Sequence, residues 1–129
     1  MEILSARVLL RPRDAAATTA FYRDTLGLAI AREYPGGTVF FAGSTLIEVA
    51  AHLTGNGPAD ATSLWLQVRD IAASQDALTA AGVTIAREAR TEPWGLREMH
   101  VDDPDGRRII LVEVPSDHPL RRDTRSDGT

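Results

Sequence analysis

Cysteine is absent from this sequence and histidine is scarce. The 129 residues include no cysteine and only three histidines. Without cysteine the chain can form no disulfide, no thiolate metal site and no cysteine nucleophile. Hypotheses about catalysis or metal binding therefore rest on its histidines and carboxylates.

Long apolar runs and concentrated positive charge are lacking as well. The first apolar segment is too short to cross a bilayer and lacks the basic start and cleavage site of a signal peptide, so we expect a cytoplasmic protein with no membrane partner. The net charge is -4 and the basic residues are scattered, so we expect no nucleic acid partner. In the C-terminal segment 116–129, arginines alternate with aspartates, which indicates a solvated, flexible tail.

An internal repeat organises the chain. The sequence LRPRDAAA, which begins at Leu10, matches LQVRDIAA, which begins at Leu66. Farther along each half, a glycine and the motif ARE recur in the same order. This order indicates a duplicated unit, and we predict a first unit over 1–51, a linker over 52–62 and a second unit over 63–115.

The helix boundaries carry local signals. Asp14 and Asp70 occupy the N-cap position, where a carboxylate accepts hydrogen bonds from free helix N–H groups. Gly27 and Gly82 occupy the C-cap position, where a left-handed backbone favours glycine. We therefore predict one helix in each half, over 15–26 and over 71–81.

Strand-like segments surround each helix, one before it and three after it, so each half reads as βαβββ. The predicted strands cover 6–10, 28–34, 38–42 and 45–51, and then 63–68, 83–88, 96–101 and 108–114. A four-stranded sheet with one helix leaves its other face uncovered. We therefore predict an α+β fold in which two tandem units form a curved mixed sheet, with a concave ligand cavity and helices outside.

Three segments resemble a known superfamily. Residues 21–28, FYRDTLGL, resemble the end of the first helix in the glyoxalase/bleomycin-resistance (vicinal oxygen chelate) superfamily. Residues 94–99, WGLREM, and 103–106, DPDG, resemble the second-half signature of its bleomycin-resistance branch. The resemblance implies the paired βαβββ fold. It implies no single activity, because the superfamily includes isomerases, epoxide-opening enzymes, dioxygenases, epimerases and drug-binding proteins.

The resemblance also implies where a divalent metal would bind. The corresponding positions in this sequence hold Arg7, Glu48, Ser63 and Ile110. A guanidinium has no lone pair to donate and isoleucine has no donor atom, so only Glu48 is a competent ligand. We therefore expect no metal cofactor. The alternative is a displaced metal set of Glu48, His100 and Glu113, although strand parity turns Glu113 to the other face.

Arg7 has two interpretations. Its guanidinium can form an ion pair with Glu48 in the place that a metal would take. Alternatively, it can extend into solvent at the end of its strand. Only the ion pair would make Arg7 part of a site.

Strand alternation, together with the resemblance, assigns two faces to each sheet. One face is predicted to pack beneath the helices, and it includes Val8, Leu10, Leu64, Leu66, Val68, Ile109 and Leu111. The other is predicted to bind the ligand. Its members are Arg7, Leu9, Phe41, Glu48, Ser63, Trp65, Gln67, Trp94, Glu98, His100, Ile110 and Val112.

This second face is aromatic and apolar, which suits a flat organic molecule better than a phosphorylated metabolite. Trp65 and Trp94 can stack on a ring, while Gln67, His100 and carboxylates can orient it. Trp65 can instead fill the core, and Trp94 can simply close its loop. His100 is either a hydrogen-bonding wall residue or a general base.

The leading functional hypothesis is a metal-free protein of the bleomycin-resistance type that sequesters a hydrophobic or aromatic natural product. One alternative is an enzyme of the superfamily, either a metal-dependent lyase, isomerase or dioxygenase with displaced ligands, or a metal-free acid–base catalyst that uses His100 with Glu48 or Glu98. Another is an accessory subunit with an empty pocket. The resemblance further implies a homodimer, with βαβββ units either retained or exchanged through the hinge 52–62.

Overall fold

The computed structural model describes residues 2, 4–5, 7–53 and 62–119. By its internal contacts the chain divides into two units. The first comprises Met1–Thr62 with Asp103–Arg107, and the second comprises Ser63–Asp102 with Arg108–Thr129. Much of the predicted linker, most of the predicted tail and the predicted first strand residue Ala6 lie outside the described residues.

The first unit has the predicted βαβββ order. Its elements are β1 (Val8–Leu10), α1 (Ala15–Ala20), a π-helical turn (Phe21–Thr25), β2 (Ile30–Tyr34), β3 (Gly37–Ala42), β4 (Thr45–Val49) and a 3-10 turn (Ala51–Leu53). The sheet order is β1-β4-β3-β2. β1 runs parallel to β4, and the other neighbours are antiparallel.

The second unit repeats this arrangement. Its elements are β5 (Leu64–Gln67), α2 (Ile71–Ala80), β6 (Ile85–Thr91), β7 (Arg97–Asp102) and β8 (Arg108–Glu113). The sheet order is β5-β8-β7-β6, with β5 parallel to β8. The chain therefore has the predicted α+β architecture of two βαβββ units, each with its own four-stranded mixed sheet. None of the helices in the described part of the chain is long and apolar enough to cross a membrane.

The predicted helix caps are confirmed. A carboxylate oxygen of Asp14 accepts a hydrogen bond from the N–H of Ala17 at 3.1 Å, and Asp70 does the same for Ala73 at 3.0 Å. Gly82 follows α2 with a φ of 83°, in the left-handed region that glycine adopts without strain. Local sequence signals therefore fix where both helices begin and where α2 ends.

The first helix differs from the prediction after Ala20. It continues as a π-helical turn, in which the N–H of Leu26 donates to the carbonyl of Phe21 at 2.9 Å. Phe21 and Tyr22 are both buried, with ring centroids 5.4 Å apart in an edge-to-face arrangement. With the buried Thr18 they follow the i, i+3, i+4 spacing of a helix face, so the π-helical turn keeps this face on the core.

A buried polar network anchors the DPDG segment in the first unit. The hydroxyl of Tyr22 donates to Asp103 at 2.7 Å, and that of Thr18 donates to Asp105 at 2.8 Å. The guanidinium of Arg107 pairs with Asp103 at 2.7 Å. The segment is a turn, as predicted, but its carboxylates are also structural anchors. The sequence pattern did not indicate this role.

Each sheet buries one face as predicted. In the second unit Leu64 pairs with Ile109 and Leu66 pairs with Leu111, so these four residues share a face. Met99 lies opposite Leu111 on that face and is fully buried. Helix α2 contacts β6, β7 and β8. The opposite face of each sheet is therefore the one left to carry a site.

Candidate functional site

One face of the first sheet carries the residues predicted to bind ligand in the first unit. Leu9 and Val39 both lie opposite Glu48, and Phe41 lies two residues beyond Val39 on the same face. The side chains of Leu9 and Phe41 are about half exposed, at 49% and 52%. The predicted orientation is confirmed, while a ligand-binding role for these residues stays a prediction.

Glu48 is the centre of a polar cluster on this face. Its Oε1 accepts a hydrogen bond from Arg7 at 2.8 Å, and its Oε2 accepts one from the hydroxyl of Tyr34 at 2.9 Å. The ion-pair interpretation of Arg7 is therefore confirmed. Burial opposes the charge on Glu48, but the bonds from Arg7 and Tyr34 outweigh it, so the pKa of Glu48 lies below its ordinary value.

The residues at the superfamily's metal positions do not fit a metal ion. Both oxygens of Glu48 are engaged by donors, and Arg7 places a positive charge beside them. Ile110 offers no donor atom, and Ser63 offers only a neutral hydroxyl. Across the described ranges, no group of three or more His, Asp or Glu side chains could hold a metal.

Tyr34 is a site residue that the sequence analysis missed. It lies opposite Gly37 in the register, which places it on the same face as Val39 and Glu48. The guanidinium of Arg32 lies 5.1 Å from the centroid of its ring. Pairing across the two-residue turn Pro35-Gly36 was the signal that could have revealed it, because the turn fixes which face each neighbouring residue occupies.

Two rows of side chains cross the corresponding face of the second sheet, which we call the second-sheet face. One row is Trp65, Ile110 and His100, and the other is Gln67, Val112 and Glu98. Neighbouring strands lie about 4.8 Å apart, so each row is about 10 Å wide. The predicted orientations are confirmed. Ser63 lies just before β5 and is exposed.

The two tryptophans are exposed residues of the second unit. The exposed fraction is 48% for Trp65 and 57% for Trp94, so Trp65 does not fill the core. The indole N–H of Trp94 donates to Oε2 of Glu98 at 2.7 Å. The ring of Trp94 is therefore exposed, and its N–H edge is held in place by Glu98. A side chain on which a ligand ring stacks needs both properties.

Apolar side chains lie between the polar and aromatic groups of this face. Leu96, Val112 and Val114 form a buried cluster, and the partly exposed Ile110 packs against it. Ile110 separates Trp65 from His100 across the sheet. The second-sheet face therefore has an apolar centre with aromatic and polar edges.

His100 is held in one tautomer. Its Nδ1 lies 3.0 Å from Nη1 of Arg108, and Nε of Arg108 donates to Asp102 at 2.7 Å. A guanidinium only donates, so Nδ1 accepts and the proton of the neutral ring lies on Nε2. Burial and the charges of Arg87 and Arg108 lower the pKa of His100, which favours this neutral form.

Glu113 does not join His100. It lies opposite Arg97 in the register, on the face of β8 away from Ile110 and His100. Its Oε1 accepts a hydrogen bond from the N–H of Ile71 at 3.0 Å, at the start of α2. The alternative metal set is therefore not brought together, because strand parity sends Glu113 to the helix side.

A second missed feature is the buried carboxylate of Glu92. Its residue exposure is only 4%, and it pairs with Arg87 and with Arg90. Arg87 also donates to the backbone carbonyl of Glu98 at 3.2 Å. Glu92 follows the last residue of β6, and glutamates there are usually exposed, so the local sequence carried no signal for its burial.

The fold and these faces define a class of small α+β proteins built from a doubled βαβββ unit. The chain belongs to the Glyoxalase/Bleomycin resistance protein/Dioxygenase superfamily, whose family model matches residues 5–111. This match confirms the resemblance at the level of the superfamily. A comparison with curated proteins finds no significant match.

Solved structures share the fold. A protein of unknown function from Agrobacterium tumefaciens str. C58 is 25% identical with a TM-score of 0.71, over 89% of this chain and 95% of that one. A superfamily member from Sphaerobacter thermophilus DSM 20745 is 27% identical with a TM-score of 0.68, over 88% and 98%. A lactoylglutathione lyase from Agrobacterium tumefaciens is 19% identical with a TM-score of 0.68, over 87% and 95%.

Proposed function

We propose that the protein is a metal-free binding protein, of the bleomycin-resistance type, that sequesters a hydrophobic or aromatic small molecule. The observation that carries the proposal is the second-sheet face. It combines two half-exposed indoles with an apolar centre and with Glu98 and His100 at its polar edge. Few, well-placed polar groups around an apolar surface are typical of small-molecule sites.

The tryptophans support an aromatic ligand. A half-exposed indole leaves a large apolar surface in water, and an aromatic partner that covers it gains both area burial and stacking. Trp94 is fixed by its bond to Glu98, so little side-chain freedom is lost when a ring stacks on it. Gln67 and Ile110 complete the proposed binding residues of this unit, whereas Val112, which was also predicted to bind, is fully buried and only supports Ile110 from within the apolar cluster.

On the first sheet, the proposed binding residues are Arg7, Leu9, Phe41 and Glu48. Leu9 and Phe41 offer exposed apolar surface. Arg7 and Glu48 neutralise each other, so the cluster presents no free carboxylate to attract a metal. The donor set supports metal-free binding for this reason.

The tautomer of His100 favours binding over acid–base catalysis. A general base must offer a lone pair to the substrate, but the lone pair of Nδ1 is engaged by Arg108. The remaining nitrogen, Nε2, carries a proton and acts as a donor. His100 is therefore proposed as a wall residue that orients the ligand.

The test is a titration of the full chain with naphthalene, quinoline and acridine, followed by NMR of the indole N–H groups. The chain has only two tryptophans, so each signal can be assigned with Trp65→Phe and Trp94→Phe. We expect both signals to shift with at least one probe, and Trp65→Ala to weaken binding about tenfold. Asp76→Asn, an exposed change on α2, is the matched control. Unchanged signals with every probe would contradict the proposal.

Two further measurements separate sequestration from catalysis. Metal analysis of the purified protein, with and without excess EDTA, should give substoichiometric zinc, manganese, nickel and iron, and unchanged probe binding. Chromatography of a long incubation should return the bound probe chemically intact. Near-stoichiometric metal that Glu48→Ala removes, or consumption of the probe, would instead support the enzyme alternative.

We further propose that the protein acts in the cytoplasm as a homodimer, with βαβββ units either retained or exchanged. Superfamily membership supports dimerisation. Light scattering should then report twice the chain mass of 14.0 kDa. A mass of one chain at working concentration would contradict the dimer without affecting the binding proposal.

A further inference from the structure

Two polar side chains on β7 are each held by a protein partner through one atom only. Glu98 and His100 lie two residues apart on the strand and therefore project from the same face, about 7 Å apart along the backbone. Glu98 is held by Trp94, and His100 is held by Arg108. The atoms that remain determine which ligand groups this face can bind.

The remaining atom of Glu98 is an acceptor. The residue is only 6% exposed, and Trp94 occupies Oε2. Among the described residues, none donates to Oε1, yet this oxygen is not sealed from solvent. A largely buried carboxylate oxygen without a donor is costly if a ligand displaces its water and brings no donor of its own.

The remaining atom of His100 is a donor. With Nδ1 accepting from Arg108, the ring carries its proton on Nε2. Arg108 is itself held in place by Asp102, so turning the ring over would break its bond with Arg108. Within the described part of the chain, Nε2 has no acceptor.

The surrounding charges balance. Three cations and three carboxylates lie in this cluster, namely Arg87, Arg90 and Arg108 with Glu92, Glu98 and Asp102. A net charge on the ligand would therefore gain little from the cluster as a whole. Hydrogen-bond matching remains as the source of specificity.

We propose that the ligand of the second-sheet face is a neutral, planar aromatic molecule that carries a hydrogen-bond donor and an acceptor on one edge. Its N–H or O–H group donates to Oε1 of Glu98, and its carbonyl or ring nitrogen accepts from Nε2 of His100. The ring lies over Ile110 toward Trp65. Aromatic lactams and amides belong to this chemical class. This inference rests on the proposed function, which by itself requires only an aromatic ligand.

The experiment compares three probes on the full chain. Carbostyril, a bicyclic lactam, has both the donor and the acceptor, N-methylcarbostyril has only the acceptor, and naphthalene has neither. Affinities would be measured by calorimetry and by the indole signals. We expect carbostyril to bind about tenfold more tightly than N-methylcarbostyril, because the methylated probe leaves Oε1 of Glu98 unpaired.

Variants assign the effect to the two side chains. Glu98→Gln keeps an oxygen for Trp94 and can turn its amide group toward the ligand, so it should reduce the preference for the N–H probe. His100→Phe should weaken carbostyril and N-methylcarbostyril to a similar extent, since both keep the carbonyl. Asp76→Asn should change neither affinity. Unfolding midpoints in urea would show that each variant is folded.

The outcomes distinguish this inference from the proposed function. Equal affinities for all three probes would overturn the donor–acceptor inference and leave aromatic binding intact. A preference that persists undiminished in Glu98→Gln would also overturn it. Failure of every probe to bind would contradict the proposed function itself.

Discussion

Glu48 is charged in the folded protein because Arg7 and Tyr34 each donate to one of its oxygens. Its pKa in the folded state is therefore lower than the ordinary value of 4.5. The sign of the effect on stability follows from proton linkage. The contribution of Glu48 is complete above the unfolded pKa and is lost as the pH falls through the folded pKa.

We therefore predict that the wild type loses stability more steeply than Glu48→Gln as the pH is lowered below about 4.5. The glutamine carries no charge to protonate, so its curve lacks this contribution. Urea unfolding across the acid range measures the difference, with Glu33→Gln as a control for loss of an exposed glutamate. Parallel curves for the wild type and Glu48→Gln would contradict the prediction.

Asp103 is the buried anion that holds both Tyr22 and Arg107. Burial, followed by the charge and hydrogen bond of Asp103, raises the pKa of Tyr22 far above its ordinary value, so its hydroxyl remains a donor. Asp103→Ala leaves Arg107 buried without its closest partner, and we predict a loss of about 3–5 kcal/mol in the free energy of unfolding.

Tyr22→Phe is the matched, milder change at the same network. It removes one hydroxyl while Arg107 still pairs with Asp103, so we predict a loss of about 1–2 kcal/mol. In urea, the free energy of unfolding of Asp103→Ala should be well below that of Tyr22→Phe. The same loss in both variants would show that the ion pair adds nothing beyond the tyrosine bond.

At the scale of elements, the start of α2 is held by two carboxylates. Asp70 accepts from the N–H of Ala73, and Glu113 of β8 accepts from the N–H of Ile71. These bonds satisfy helix N–H groups that have no partner within the helix. We predict that Asp70→Ala lowers the free energy of unfolding by about 1 kcal/mol.

Hydrogen exchange of the backbone amides in the first turn of α2 would measure the same loss of stability at the start of the helix. Asp76→Ala, in the middle of the helix and exposed, is the control and should leave protection of the first turn unchanged. Equal effects of Asp70→Ala and Asp76→Ala would mean that charge, rather than capping, sets the stability of this helix.

The elements were predictable from the sequence because their signals are local. Aspartate caps, terminal glycines and strand alternation gave the order of elements, and parity gave the correct orientation of Trp65, Glu98 and His100. The unpredicted features depend on partners distant in the chain or on irregular backbone. Tyr22 donates to Asp103, which lies far along the sequence. The π-helical turn departs from the 3.6-residue period by which helices are predicted.

The candidate site, like the fold, was predictable only in part. Residue types and faces followed from alternation, whereas the atoms left free on Glu98 and His100 depend on Trp94 and Arg108. Such pairings are set by side-chain geometry in the folded chain. Sequence spacing therefore identified the wall of the site but not its pattern of donors and acceptors.

At the scale of the whole molecule, the contacts in the structure start the second unit at Ser63, where the sequence repeat also starts it, but they assign one segment of the second repeat to the first unit. The first unit includes Asp103–Arg107, which lies between β7 and β8 in the sequence. A fragment of residues 1–62 would lack the acceptors of the Thr18 and Tyr22 hydroxyls. Neither hydroxyl would then have its buried partner.

We predict that the 1–62 fragment shows no cooperative unfolding by circular dichroism. Mixing it with the 63–129 fragment should restore cooperative unfolding, because the second fragment carries Asp103 and Asp105. A mixture in which the 63–129 fragment carries Asp103→Ala should recover less of the cooperative unfolding. A 1–62 fragment that unfolds cooperatively alone would show that the first repeat has no need of the DPDG segment.

The ion pair of Arg7 with Glu48 has a consequence for how the protein depends on its surroundings. A cation taken from solution can be withheld, replaced by a competing ion or removed by a chelator. The guanidinium of Arg7 is joined to the chain by covalent bonds and is present in every copy from the moment of synthesis. At this position, neither a low metal concentration nor a chelator removes the positive charge of Arg7. Only a change in the gene can remove it.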